Sequence, residues 1–124
     1  MNDLIARVAA AAGIDEALAG KAIGMILGFM QKEAPGPAGE MLQQMPGATE
    51  LIAASQGGGG MMGMMGGMMG GGIMGLGAQL MGAGLDMGQM QTVGRELFAH
   101  GRETVGEEAM GKVVAAIPGL SQFI

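Results

Sequence analysis

Apolar residues in the first half of the chain recur at the spacings of amphipathic helices. Over residues 16–33, large apolar side chains follow one another at intervals of three, four and seven positions, and a second apolar stripe lies beside the first. This pattern predicts a long helix that is buried on more than one side. Shorter apolar patterns predict a helix over residues 4–12 before it and another over residues 38–45 after it.

Residue types that cap or break helices mark the ends of these three segments. Gly13 is suited to the position after a helix, and Asp15 is suited to cap the next one. The sequence Pro-Gly-Pro at residues 35–37 predicts the end of the second helix, and Pro-Gly at residues 46–47 the end of the third. Thr49 is expected to cap a final short turn.

The same order of signals returns in the second half of the chain. Gly84-Leu85-Asp86 repeats Gly13-Ile14-Asp15 at an offset of 71 positions, and later breakers and apolar positions repeat at an offset of 72. One inserted residue near residues 104–106 explains the change. The helices predicted for this half cover residues 73–83, 87–102 and 107–117. The sequence therefore predicts an internal duplication of a short helical unit.

The second half carries more polar residues on its long helix than the first half does. We therefore expect the helix over residues 16–33 to be central and its counterpart to lie nearer the surface. Arg95 with Glu96, and Arg102 with Glu103, are expected to form a solvated face.

Only glycine and methionine occupy residues 57–72, at the centre of the chain. Ordering a glycine run is entropically costly, and methionine is flexible and apolar. We therefore predict a mobile apolar linker over residues 56–72, with unit 1 over residues 1–55 and unit 2 over residues 73–124.

A second interpretation of this centre is a soft-metal site. Paired thioethers select Cu(I) over hard cations, and glycine spacers would let them converge. The candidate ligands are Met61, Met62, Met64, Met65, Met68 and Met69.

A third interpretation is a glycine zipper that packs in a membrane or binds an apolar helix. Glycines recur every four residues from Gly59 to Gly75, a spacing that lets helices approach closely. The segment has no Trp or Tyr belt and no flanking basic cluster, so membrane insertion is less favoured than the mobile linker.

Composition narrows the choice of partner. The 124 residues are 49% hydrophobic but only 2% aromatic, so aliphatic residues and methionine must build the core. Each unit is small for a core of its own, which predicts that the units pack together or that the chain oligomerises. The net charge of −5 and the absence of a basic patch argue against a nucleic-acid partner. With no Cys and no secretory signal pattern, the protein is expected to be cytoplasmic.

No arrangement of residues predicts catalysis. His100 is the sole imidazole, and Glu96 and Glu103 could face it on a helix, which is a common surface arrangement. Glu107 and Glu108 open a predicted helix, where acidic residues favour the positive end of the dipole. The glycine run lacks the Gly-Lys-Ser/Thr ending of a phosphate-binding loop. We therefore predict no enzyme activity and no cofactor.

At its repeated turns the chain resembles the uncharacterised bacterial family labelled VcgC/VcgE and, more distantly, the YidB-like family. A glycine-rich centre between two such units also recurs there. The resemblance implies an all-helical fold and supplies no activity and no functional residues. The residues that carry it are Gly13-Ile14-Asp15, Gly84-Leu85-Asp86 and Ile117-Pro118-Gly119-Leu120.

Together these patterns predict an all-α protein with two similar three-helix units, joined by the Gly/Met segment and packed as one bundle. The predicted function is interaction or assembly, through self-association or a protein partner. The residues expected to carry packing and interaction are Leu18, Met25, Ile26, Phe29, Met30, Leu97, Phe98, Val113, Val114 and Ile117.

Overall fold

The computed structural model describes residues 2–45, 47–57 and 72–117, with the side chains of residues 2, 53–57 and 72–74 excepted. Within these ranges the chain forms seven helices and no strand, which confirms the predicted all-α class. The helices are α1 (Asn2–Ala12), α2 (Glu16–Glu33), α3 (Pro35–Gln43), α4 (Ala48–Gly57), α5 (Gly72–Ala83), α6 (Met87–Val105) and α7 (Glu107–Ala116). We call α1–α4 unit 1 and α5–α7 unit 2.

The two long helices begin with the same cap. Asp15 Oδ1 accepts a hydrogen bond from the backbone N–H of Leu18 at 2.7 Å, and Asp86 Oδ1 accepts one from that of Gln89 at 2.7 Å. In unit 2 the Gln89 side chain also accepts from the Asp86 backbone N–H, which completes a capping box. The predicted caps of α2 and α6 are therefore confirmed.

The turns that precede these caps also match. The backbone N–H of Ile14 donates to the Ala9 carbonyl at 3.0 Å, and that of Leu85 donates to the Leu80 carbonyl at 3.1 Å. A glycine precedes each donor: Gly13 has a φ of +71°, and Gly84 has a φ of +112°. Glycine adopts these angles without the steric cost that other residues meet.

Burial follows the repeat along both long helices. Six residues of α2 are buried, and so are the six residues at the equivalent positions of α6, 71 residues later. The pairs are Ala19 and Met90, Ala22 and Val93, Ile23 and Gly94, Ile26 and Leu97, Leu27 and Phe98, and Met30 and Gly101. Helix α6 has 19 residues and α2 has 18, which accommodates the single inserted residue.

The two units cross over each other. Helix α1 packs more extensively against α6 than against α2 of its own unit, and α5 packs more extensively against α2 than against α6. Helices α3 and α7 also pack together. The end of α1 at Ala12 lies beside Gln89 at the start of α6, and Arg7 lies beside Glu96 farther along, so α1 runs antiparallel to α6. The units therefore form one bundle with a shared core.

Helix α2 lies at the centre and packs against α1, α3, α4, α5 and α6, most extensively against α4. Gly20 and Gly24 are buried one turn apart on α2. A Cβ placed at Gly20 would lie 3.6 Å from Ile5 Cδ1 of α1 and 3.7 Å from Leu51 Cδ2 of α4. The glycine spacing of α2, at residues 20, 24 and 28, is a packing signal in the sequence that the apolar pattern alone does not reveal.

Unit 2 does not repeat this glycine ridge. The positions of α6 that correspond to Gly20 and Gly24 are Gln91 and Arg95, and both are exposed. The polar face predicted for the second long helix is therefore present at these two positions, and α2 is the central helix, as predicted.

Several predicted helix boundaries are wrong, and unit 1 has four helices rather than the predicted three. Helix α3 begins at Pro35 rather than at residue 38, because proline at the first position of a helix needs no N–H donor. Residues 48–57 form a full helix, α4, in which Thr49 lies inside the first turn and does not cap a short turn.

Candidate functional site

The seam between α1 and α6 joins the two units through charged groups. Arg7 Nε donates to Glu96 Oε2 at 2.8 Å, and Arg7 Nη1 lies 3.7 Å from Glu103 Oε2. Glu96 and Glu103 are two turns apart on α6, so one guanidinium group lies within reach of both carboxylates. The side chains of Arg7, Glu96 and Glu103 are 45%, 26% and 67% exposed, so solvent weakens both pairs.

Gln89 adds an uncharged link at one end of the seam. Its Oε1 accepts from the backbone N–H of Asp86 at 3.0 Å, and its Nε2 donates to the Ala12 carbonyl at 3.3 Å. Ala12 is the last residue of α1, where helix carbonyls lack partners inside the helix. The Gln89 side chain therefore completes the cap of α6 and also supplies a hydrogen-bond donor to the last carbonyl of α1.

Apolar residues form the inner part of the seam. Leu4 and Val8 of α1 and Val93 and Leu97 of α6 belong to one buried core cluster. In the described part of the chain, no polar or charged side chain is buried. Burial of this apolar surface supplies the main favourable free energy, and the charged edge favours one pairing of helices over others.

The second crossing, between α5 and α2, lacks these charges. Ala78 of α5 corresponds to Arg7, 71 residues later in the chain. Met25 of α2 corresponds to Glu96, 71 residues earlier. The ion pair therefore distinguishes the α1–α6 seam from its counterpart.

One prediction about the charged residues of α6 is wrong. Glu96 does not lie on a solvated face with Arg95, because it is partly buried and bonded to Arg7. Glu96 and Glu103, the two carboxylates that could face His100 on a helix, both lie near Arg7. No local sequence pattern indicates a partner 89 residues away.

The structure places the ten predicted packing residues in or against one core cluster. Leu18, Met25, Phe29 and Val114 are partly buried and packed against it. The other six are buried: Ile26, Met30, Leu97, Phe98, Val113 and Ile117.

The six candidate copper ligands, Met61, Met62, Met64, Met65, Met68 and Met69, lie outside the described residues, and the copper hypothesis stays a prediction. Most of the predicted glycine zipper, residues 59–71, lies there too. Within the described ranges, no helix is both long enough and apolar enough to cross a membrane. In the same ranges, His, Asp and Glu form no group of three or more placed to hold a metal ion.

A groove between α6 and α7 has a volume of about 340 Å³. Its lining is mostly apolar, and no sequence pattern predicted it. The lining residues are Phe98, Arg102, Glu107, Met110, Gly111, Val114 and Ala115. Met81 and Met87, 57% and 62% exposed, are the large apolar side chains most open to solvent in the described part of the chain.

Comparison with known proteins gives no match: no family model fits the chain, and neither the curated proteins nor the solved structures include a significantly similar one. The resemblance to the VcgC/VcgE and YidB-like families stays a prediction.

Proposed function

We propose that the protein is a non-enzymatic, cytoplasmic interaction and assembly protein that works through its two helical units. The observation that carries this proposal is the crossed packing, in which α1 packs mainly on α6 and α5 mainly on α2. Each unit thus has a surface that recognises the other unit.

The α1–α6 seam has the composition of a protein–protein interface. Its inner part is apolar, its edge carries the Arg7–Glu96 ion pair, and Gln89 bonds across it to a backbone carbonyl. Interfaces between separate proteins combine an apolar centre with a polar rim in the same way. A fold built on such recognition is suited to assembly.

The Gly/Met segment is assigned the role of tether in this proposal. Helix α4, which precedes it, and helix α5, which follows it, both pack on α2. The central helix therefore fixes the chain on both sides of residues 58–71.

The proposal is tested by sedimentation equilibrium of the full chain over a range of concentrations. We expect an average mass that rises with concentration above the 12.4 kDa of one chain. A constant mass of one chain up to about 1 mM would contradict assembly. Any remaining association would then have a dissociation constant above about 1 mM, which corresponds to a binding free energy of less than about 4 kcal/mol. In a control with Met81→Ser and Met87→Ser, association should persist, because these exposed residues are not part of the unit–unit contacts we propose.

A further inference from the structure

We infer that unit 1 of one chain pairs with unit 2 of a second copy, through the same α1–α6 and α2–α5 contacts that form within one chain. The product is a dimer with exchanged units. This inference rests on the proposed function, because it names the partner and the surface through which assembly occurs.

The first support is the way in which the units are connected. Residues 58–71 are the covalent link between unit 1 and unit 2, and the remaining contacts between the units are non-covalent. A second copy offers the same atoms to α1 and α2 as the chain's own unit 2 does. An exchanged dimer thus keeps every inter-unit contact of the closed chain and needs no new surface.

The second support is the balance between closure and exchange. Closure within one chain is favoured by the effective concentration of tethered units, which is on the order of millimolar for short tethers. Both states bury the same interface, so exchange competes with closure when the protein itself approaches that concentration. Refolding at high concentration should therefore trap exchanged dimers.

The third support is that the core is shared between the units. Buried residues of α1, such as Leu4 and Val8, belong to the same cluster as Val93 and Leu97 of α6. A chain with separated units would expose apolar surface on α1 and α6, and that surface is buried again only against a matching unit. Arg7 and Glu96 then select the correct helix pair by their opposite charges.

The test uses two full-length variants, Arg7→Glu and Glu96→Arg. In either variant alone, the seam places like charges together, whether the chain closes or exchanges with an identical copy. When the two variants are mixed, an exchanged heterodimer restores both seams. One seam pairs the introduced Glu with the introduced Arg, and the other keeps the original Arg7 and Glu96.

The two variants are denatured, mixed and refolded together at high concentration. Native mass spectrometry then determines the proportions of heterodimers and homodimers from their masses. We expect the ratio of heterodimers to homodimers to exceed its statistical value about tenfold, because both seams change from like to opposite charges and each exposed pair adds a few-fold preference. The excess should shrink in 1 M salt, where the screening length falls to about 3 Å.

A chain that carries both Arg7→Glu and Glu96→Arg is the matched control. It restores the pair within one chain, but an exchanged heterodimer with wild type would place like charges in both seams, so heterodimers should fall below the statistical share. Dimers of the mixed single variants in statistical proportions, or no dimers at all, would overturn the exchange. If wild type still associates with concentration in that case, assembly survives and acts through another surface. If wild type remains a single chain, the proposed function fails as well.

Discussion

The contact between Gly101 of α6 and Met110 of α7 predicts that two damaging substitutions will compensate each other. A Cβ at Gly101 would lie 2.6 Å from Met110 Sδ and 2.7 Å from Met110 Cε. Unit 1 has the opposite arrangement of large and small residues. The position that corresponds to Gly101 is Met30, and the position that corresponds to Met110 is Ala38. Both of these residues are fully buried. The double variant Gly101→Met with Met110→Ala therefore places in unit 2 the same pair of residues, Met and Ala, that unit 1 has at these positions.

The expected magnitudes follow from burial and from the three nearest atoms. Met110 is 2% exposed, so Met110→Ala alone should cost about 2–5 kcal/mol of unfolding free energy. Gly101→Met alone overpacks the site by about 1–3 kcal/mol, offset by up to about 1 kcal/mol because glycine is a poor helix residue. In the double variant, all three atoms that approach the added Cβ are gone, because they are Cγ, Sδ and Cε of Met110. Its loss should stay below about 1.5 kcal/mol.

Urea unfolding followed by circular dichroism gives the free energies of all four proteins. We expect a coupling energy of about 1–3 kcal/mol in favour of the double variant. Met90→Ala is the control partner, because Met90 is buried on α6 about 16 Å along the helix from Gly101. Combined with Gly101→Met, it should give additive losses. Coupling below about 0.5 kcal/mol in the Gly101–Met110 cycle would refute the compensation.

Two further substitutions probe the core and the turns in the same urea assay. Ile26→Asp should destabilise the protein by at least about 3 kcal/mol, because Ile26 is 4% exposed and the charge would have no partner. Gln31→Asp lies on the exposed face of the last turn of α2 and should cost only about 1 kcal/mol, because a negative charge opposes the helix dipole there. Equal midpoints for these two variants would rule out the core position of Ile26. Gly13→Ala should cost about 1–2 kcal/mol because φ is +71°, whereas Gly36→Ala, with open space around the new Cβ and no positive φ, should be neutral or slightly stabilising. A neutral Gly13→Ala would show that the turn relaxes.

Much of the fold could be predicted because helix ends carry local signals. Asp15 and Asp86 cap their helices with side chains three residues from the bonded N–H groups, and Gly13 and Gly84 adopt the backbone angles that follow a helix. The start of α3 at Pro35 was missed because proline both breaks one helix and begins another.

The candidate site could be predicted only in part, because its main contacts are distant in the sequence. Apolar spacing placed Ile26 and Leu97 on inward faces, and both are buried. Spacing on one helix cannot indicate that Glu96 bonds to Arg7, because that choice depends on which helices pack together. The crossed packing of the units was not predictable for the same reason.

The crossed packing also decides when α1 can reach its final position during translation. Glu96 is synthesised 89 residues after Arg7, and Gln89 is synthesised 77 residues after Ala12. At about 5–20 residues per second, α1 waits roughly 4–18 s for the helix that covers it. Residues through α6 must therefore emerge from the ribosome before α1, which can first pack against α2, meets the helix that covers most of it. A message cut short before α6 would leave α1 without its main partner and expose the nascent protein to chaperones and proteases.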